Sequence, residues 1–261
     1  MTHNTTKIRQ LNSTRLPPQG YPELIVFDVD GVLVDVRGSF HRTTLQTVTF
    51  FTGKRVTLEQ LQEWKNRSGF NDDWTLSTAW VQSLGANVPY EEVKRKFVEL
   101  YWGVHSPGNV QREKWLLPIA TLARISSHAE LAIFTGRTRR ELDYTLELCG
   151  ARKFFREIIT VEDVERPKPD PEGLLRILKG RDSSRAIYVG DSVDDAIASR
   201  RAKMPFVGVL FGTGEARRHR ANLLTELGAR AVITKVTNLE RWITKNSRQG
   251  VPLSESLRNP Q

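Results

Sequence analysis

Residues 24–31 read Leu24-Ile25-Val26-Phe27-Asp28-Val29-Asp30-Gly31, four apolar residues followed directly by an acidic turn. A short apolar run that ends in turn residues is typical of a strand buried on both faces. The pattern recurs twice, where residues 131–134 precede Thr135 and residues 186–189 precede Gly190. Because ligands of parallel α/β sheets bind beyond the carboxyl ends of the strands, we expect the polar residues after these three runs to meet at one site.

Strand-like and helix-like segments alternate from residue 131 toward the C-terminus. Such alternation predicts an α/β fold with a doubly wound, mostly parallel sheet and helices on both faces. The predicted strands after the first cover 131–134, 157–160, 186–189, 206–210 and 231–233. The predicted helices of this part cover 139–148, 171–178, 194–202, 215–227 and a last segment from Asn238.

The segment between the first strand and residue 131 has no comparable strand signal. Its apolar residues recur at helical spacing, which predicts helices over 39–51, 58–64, 74–84 and 90–102. Five of the six tryptophans lie in or beside this segment, which favours a compact core of its own. We therefore predict an α/β core domain of residues 21–37 and 113–249, a helical cap domain of residues 38–112, a disordered tail at 1–20 and a flexible tail at 250–261.

Composition excludes several classes of protein. No apolar stretch approaches the roughly 18 residues of a membrane span, and the N-terminal region has no apolar signal-peptide core. The single cysteine, Cys149, excludes an internal disulfide, so we expect a cytoplasmic protein with no membrane partner. The net charge of +9 could attract nucleic acid, but the basic residues are dispersed without interleaved aromatic residues, which argues against that partner. A monomer and a homodimer both remain open.

Two carboxylates, those of Asp28 and Asp30, follow the first apolar run. Because residues i and i+2 of an extended segment point the same way, both carboxylates can approach one ligand. A carboxylate can act as the nucleophile in phosphoryl transfer, which makes Asp28 a candidate nucleophile. Asp191, after the third run, adds a hard oxygen ligand of the kind that suits Mg²⁺. The alternative for the acidic pair is a strand-end turn closed by side-chain hydrogen bonds.

Two further segments carry groups that suit a phosphate. Lys168 stands between Pro167 and Pro169, whose rings hold the local backbone extended or in turns. A stiff mount suits a lysine that presents its ammonium group to a phosphate, although a rigid surface loop with a solvated lysine has the same sequence. Thr135 and Gly136 could bind a phosphoryl oxygen through a hydroxyl and an N–H group, but such a pair after a strand is also typical of a plain turn.

These segments follow one another in the order and spacing of the four motifs of the haloacid dehalogenase (HAD) superfamily, and the chain resembles its phosphatase branch over residues 22–235. The resemblance implies a Mg²⁺-dependent phosphatase that hydrolyses a small phosphate monoester through an aspartyl-phosphate. Its partner would therefore be a small phosphorylated metabolite. It implies catalytic roles for four residues, Asp28, Asp30, Thr135 and Lys168. Asp30 would be the general acid and then the base, and its backbone carbonyl would join Asp28 and Asp191 as a metal ligand. Asp195 and Ser192 would support these groups from outside, Asp195 by orienting Lys168 or a metal-bound water and Ser192 through its hydroxyl.

The helical insertion resembles that of the helical-cap subgroup, which includes phosphoglycolate phosphatases, phosphonatases and β-phosphoglucomutases. By this resemblance the insertion closes over the site and selects the substrate. Candidate substrate contacts, besides Gly136, are Arg42, Lys65, Asn71, Asp72, Asp73 and Trp74. Helix capping is the competing interpretation for the Asn and Asp residues of this loop. Two other functions stay open, a phosphomutase of the same family and a non-catalytic protein that binds anions or nucleic acid.

Overall fold

The computed structural model describes residues 20–248, so the two predicted tails lie outside the described residues except for Gly20. The strands are β1 (Leu24–Phe27), β2 (Val34–Asp35), β3 (Lys114–Trp115), β4 (Glu130–Phe134), β5 (Glu157–Ile159), β6 (Ala186–Gly190), β7 (Phe206–Val209) and β8 (Ala229–Ile233). The α-helices are α1 (Arg42–Thr52), α2 (Leu58–Lys65), α3 (Asp73–Ser83), α4 (Tyr90–Trp102), α5 (Ile119–Ser126), α6 (Arg139–Cys149), α7 (Glu172–Leu178), α8 (Val193–Arg201), α9 (Gly214–Glu226) and α10 (Leu239–Arg248). None of these helices is both long enough and apolar enough to cross a membrane.

Six strands form one parallel sheet in the order β5-β4-β1-β6-β7-β8. β1 is central, because it pairs with β4 on one side and with β6 on the other. In this register Phe27 is level with Ile133 and with Val189. The residues that follow the three apolar runs therefore leave the sheet at the same edge. The predicted α/β fold with a doubly wound parallel sheet is confirmed.

Alternate residues of β1 enter different cores, as expected for a strand that is covered on both faces. Leu24 and Val26 belong to the apolar cluster on one face of the sheet, and Ile25 and Phe27 belong to the cluster on the other. All four side chains are buried. Covering both faces explains why the strand appears in the sequence as an unbroken apolar run without alternation.

The helical insertion, residues 38–112, contains α1 to α4 and no strand. α1 and α3 pack around a small core of their own, in which α2 takes part; it consists of Val48, Leu61, Leu76, Trp80 and Val81. α4 differs, because its Phe97 and Tyr101 join the cluster that covers the sheet. Of the five tryptophans in or beside the insertion, Trp80 and Trp64 belong to its own core, whereas Trp74, Trp102 and Trp115 pack against the sheet cluster.

Two parts of the fold were not predicted from the sequence, and the first is a pair of short strands. β2 and β3 pair antiparallel where the chain enters and leaves the insertion, with Val34 opposite Trp115. Strands of two residues are too short to carry a periodic pattern. The second is α5, which begins after Pro118 and buries Leu122 and Ile125. Its apolar residues Ile119, Leu122 and Ile125 recur three residues apart, so the sequence did carry a helical signal for this element.

Candidate active site

The polar residues after β1, β4 and β6 surround a cavity of about 380 Å³ at the carboxyl edge of the sheet. Backbone hydrogen bonds fix their starting points, because the Asp28 N–H donates to the Val189 carbonyl (2.8 Å) and the Thr135 N–H donates to the Ile159 carbonyl (3.0 Å). The core contributes Asp28, Asp30, Thr135, Gly136, Lys168, Asp191 and Ser192 to the lining. The insertion closes the opposite side, so the cavity lies between the two parts of the chain.

Lys168 lies at the centre of the site. Its ammonium group is 2.8 Å from an Asp28 oxygen and 2.8 Å from an Asp195 oxygen, and its side chain is 2% exposed. Burial disfavours the ammonium charge, but the carboxylates of Asp195 and Asp28 outweigh burial and hold the pKa of Lys168 above its usual range. Lys168 therefore stays charged beside Asp28 at neutral pH.

Asp195 is fully buried and its two oxygens are occupied by donors. One oxygen accepts from Lys168 and from the Tyr188 hydroxyl (2.7 Å). The other accepts from the Ser192 hydroxyl (2.7 Å) and from the backbone N–H groups of Ser192 and Asp191. Burial works against the charge of Asp195, but Lys168 and these hydrogen bonds lower its pKa. The ionised Asp195 carboxylate therefore fixes the position of the Lys168 ammonium group beside Asp28.

Asp28 and Asp191 are short of positive charge. Burial, against the opposing effect of Lys168, raises the pKa of Asp28 to about 8, and neighbouring carboxylates add to the rise. Burial likewise raises the pKa of Asp191 to about 6, although Arg220 works against it. Oxygens of Asp28, Asp191 and Asp195 all lie within 4.8 Å of one another. The carboxylate oxygens of Asp28 and Asp191 are close together, and the positive charge around them is too small to offset their burial. Such a pair suits a divalent cation.

The hydrogen-bond partners of these three carboxylates indicate which of them could hold a cation. Asp195 already receives donors on both oxygens, so Asp28 and Asp191 are the side chains with oxygens free to hold a cation. Gly31 makes room for this arrangement, because a Cβ atom there would collide with the Asp191 carboxylate. Its backbone is also left-handed, with φ of +71°, which favours glycine. The residues present therefore suit a hard cation such as Mg²⁺.

Thr135 and Gly136 lie on the β4 side of the cavity. The Thr135 side chain is buried, and its hydroxyl oxygen accepts from the N–H of Arg137 (3.2 Å), which leaves the hydroxyl hydrogen available to a ligand. Gly136 lies against the insertion, because a Cβ atom there would be 2.8 Å from the side-chain nitrogen of Asn71. Asn71 and Trp74 both line the cavity. The structure thus brings these two insertion residues to the site.

The other substrate candidates of the insertion have different places. Asp72 borders the cavity, but its carboxylate caps α3 by accepting from the N–H groups of Trp74 and Thr75, which is the competing interpretation from the sequence. Lys65 and Asp73 line the cavity as an ion pair of 3.0 Å. Arg42 is exposed at the first residue of α1 and does not border the cavity, so the structure does not bring it to the site.

Sequence reasoning missed two contributors. Arg137, two residues after Thr135, is a completely buried cation that contacts Asp30. Its position in the segment that follows β4 is a usable signal, but sequence reasoning assigned it no role of its own. Asp194 accepts from the Ser68 hydroxyl (2.7 Å) and the Gly69 N–H (3.1 Å), and so joins α8 to the insertion. From the sequence it was only an acidic residue in the first turn of a helix, and no local pattern shows a partner more than a hundred residues away.

The structure is an α/β fold with a parallel sheet and a helical insertion above its carboxyl edge. At that edge lie a buried aspartate–lysine pair and an acidic cluster that could bind a cation, which is the architecture of an α/β enzyme. Residues 25–209 match the family model described as haloacid dehalogenase-like hydrolase. The chain belongs to this family.

Named relatives agree with this assignment. The chain is 26% identical over 211 residues to a phosphoglycolate phosphatase of Pseudomonas fluorescens, which covers 78% of this chain and 75% of that protein. It is 32% identical over 197 residues to a protein of Phytophthora nicotianae named imidazoleglycerol-phosphate dehydratase, over 72% of this chain. The chain spans less than half of that relative, 43% of its length.

A solved structure shows the same fold. It is that of a putative phosphoglycolate phosphatase from Lactobacillus plantarum, with a TM-score of 0.65, 18% identity and coverage of 85% of this chain and 99% of that one.

Proposed function

We propose that the protein is a Mg²⁺-dependent phosphatase that hydrolyses a small phosphate monoester through an aspartyl-phosphate on Asp28. The observation that carries this proposal is the buried Asp28 carboxylate, which is bound by Lys168 and lies two residues from a second carboxylate at the mouth of the sheet. The similarity to proteins named phosphoglycolate phosphatase supports the same reaction class.

The first displacement uses Asp28 and Asp30. A carboxylate oxygen of Asp28 attacks phosphorus, the bond from phosphorus to the ester oxygen breaks, and the departing oxygen takes a proton from Asp30. Lys168 holds Asp28 and contacts the phosphoryl oxygens, and the Thr135 hydroxyl donates to one of them. Phosphate-monoester hydrolysis is among the slowest uncatalysed reactions, so two assisted displacements are a sensible division of a large barrier.

The second displacement returns the enzyme to its starting state. A water molecule gives a proton to Asp30, its oxygen attacks phosphorus, and the bond to Asp28 breaks. Inorganic phosphate leaves and Asp28 is again a carboxylate. Asp30 needs access to this water, and its side chain is 31% exposed toward the cavity that Asp28 shares.

Asp28 and Asp191 would hold Mg²⁺, together with the backbone carbonyl of Asp30. When bound, Mg²⁺ supplies positive charge that neutralises the phosphoryl oxygens. Burial raises the pKa of Asp28 to about 8, so a nearby cation would help this carboxylate nucleophile to remain ionised at neutral pH. Lys168 provides part of that charge through its own contact.

Residues 38–112 would act as a cap domain over a core domain of residues 21–37 and 113–249. Asn71 and Trp74 line the cavity from the side of the insertion, and there they would contact the part of the substrate that is not phosphate. Excluding water from this space strengthens the charge interactions within it. The size of the cavity, about 380 Å³, suits a small phosphorylated metabolite.

Phosphate release from p-nitrophenyl phosphate and a panel of metabolite phosphates tests the proposal. We expect release with Mg²⁺, none with EDTA, and none from Asp28→Asn at any metal concentration. Asp143→Asn on α6, outside the cavity, is the matched control and should keep full activity. Release that persists in Asp28→Asn would contradict the assignment. An isomerised sugar phosphate without free phosphate would instead identify the phosphomutase.

A further inference from the structure

Arg137 is the largest side chain of the described chain that is completely buried. A buried charge is costly unless it is paired and hydrogen-bonded, and Arg137 is paired on two sides. On one side is Asp30, and on the other is Glu113. Burial works against the guanidinium charge, but Asp30 and Glu113 hold the pKa of Arg137 well above its usual value. The cation is therefore permanent.

The contact with Asp30 restrains that carboxylate. Two nitrogens of the guanidinium, Nε at 2.7 Å and Nη2 at 2.6 Å, approach the same oxygen, Oδ1 of Asp30. Because the guanidinium is planar and rigid, two contacts to one oxygen fix the position of Oδ1 relative to Arg137. With Oδ1 engaged, Oδ2 is the oxygen that is suited to carry and deliver a proton.

Glu113 anchors the other side of Arg137. Its oxygens accept from Nη1 at 3.0 Å and from Nη2 at 2.8 Å, and its side chain is only 6% exposed. The Glu113 carboxylate also accepts from the hydroxyls of Tyr101 (2.9 Å), Ser39 (3.2 Å) and Thr145 (2.8 Å). Ser39 lies where the chain enters the insertion, and Glu113 lies where it leaves, directly before β3. Through Glu113, Arg137 thus connects Asp30 to the two segments that join the insertion to the core and to α4.

We propose that Arg137 is a positioning residue, which holds the Asp30 carboxylate toward the leaving-group oxygen while Glu113 holds Arg137. This inference rests on the proposed phosphatase reaction, in which Asp30 protonates the departing oxygen. A purely structural Arg137 would stabilise the fold and affect every substrate equally. A positioning Arg137 matters most where the leaving group needs a proton most, because a good leaving group departs with little help from an acid.

Two aryl esters of similar size provide the test. Phenyl phosphate has a poor leaving group that needs protonation, whereas p-nitrophenyl phosphate has a good one. We compare wild type with Arg137→Lys, which keeps the charge but loses the two-point contact, and with Arg139→Lys on the next helix as the control. We expect Arg137→Lys to reduce kcat/KM, which reports only the first displacement, on phenyl phosphate by about a hundredfold, in the range that general acid catalysis contributes, and on p-nitrophenyl phosphate by under tenfold.

A second variant keeps the test valid if Arg137→Lys unfolds. Glu113→Gln keeps Arg137 and removes the charge that anchors it, so it should show the same preference for the good leaving group with a smaller loss. Thermal unfolding of each variant shows which proteins are folded. Equal losses on the two esters in folded variants, or no loss, would overturn the positioning role while wild type stays active. A wild type that releases no phosphate from either ester would overturn the phosphatase proposal and this inference with it.

Discussion

The pKa of Asp28, the proposed nucleophile, is set by opposing effects. Burial and the nearby carboxylates push its pKa up, and Lys168 pulls it down. Asp195 is ionised and holds Lys168 beside Asp28. Of the two carboxylates that contact Lys168, Asp28 lines the cavity and Asp195 does not.

Gly31→Ala should damage the acidic centre. A Cβ atom at this position collides with the Asp191 carboxylate, and the left-handed backbone adds strain. We expect a loss of more than about 1 kcal/mol in the free energy of unfolding and a clear rise in the Mg²⁺ concentration needed for half-maximal activity. Urea unfolding and metal titration measure the two effects.

Gly53→Ala is the matched control for that variant. Gly53 has a similar φ of +66°, but no atom lies within 4 Å of its added Cβ. It should lose stability from strain alone and keep its metal requirement. An unchanged metal requirement in Gly31→Ala would contradict the proposed place of Asp191.

Glu141 makes the stability of the fold depend on pH. Burial raises its pKa to about 7, although hydrogen bonds from Thr138 work against this. Because the folded protein binds this proton more tightly than the unfolded chain, the stabilisation is complete at low pH and is lost as pH rises toward and through about 7. Glu141→Gln keeps the capping contacts without the proton.

The difference in unfolding free energy between wild type and Glu141→Gln should therefore change between pH 5 and pH 8 in favour of the variant. Denaturant unfolding at several pH values measures it. A difference that is constant over this range would show that Glu141 keeps an ordinary pKa.

The elements that position the site differ in how clearly the sequence predicts them. β1, β4 and β6 were predicted because strands buried on both faces must be apolar throughout, and their ends located the acidic cluster. β2 and β3 escaped prediction because two residues hold no pattern. The Asp194 contact escaped because Ser68 and Asp194 are far apart along the chain, and only the packing of the insertion on the sheet brings them together. The contact of Arg137 with Asp30 joins residues that follow the paired strands β4 and β1.

Asp194 links α8 to the loop between α2 and α3. Asp194→Ala removes all of its hydrogen bonds to Ser68 and Gly69, whereas Ser68→Ala removes one. We expect Asp194→Ala to raise KM by about tenfold, since hydrogen bonds to a charged group contribute about 1.5–3 kcal/mol, and Ser68→Ala to raise it less.

Hydrogen exchange of residues 66–72 gives an independent measurement of the same link. These amides should exchange faster in Asp194→Ala, while those of β1 should not change. If the loop keeps its protection and KM is unaltered, the contact has no part in closing the cavity.

The molecule as a whole combines a rigid parallel sheet with a helical insertion that meets it at two short strands. The sheet supplies the groups that would act on phosphate, and the insertion supplies Asn71 and Trp74 above them. Since Arg137 binds both Asp30 and the segment that leaves the insertion, the two parts share one hydrogen-bond network. In the proposed function, the core therefore carries the reaction and the insertion selects the substrate.

The central claim is that Asp28 accepts the phosphoryl group, and trapping it is the most direct test. In Asp30→Asn the first displacement can still proceed with p-nitrophenyl phosphate, but the second lacks its base, so the intermediate should accumulate. After acid quench with Mg²⁺ present, peptide mass spectrometry should find the phosphoryl group on Asp28. A phosphoryl group on another residue, or turnover by wild type with no phosphorylated residue in either protein, would contradict the account.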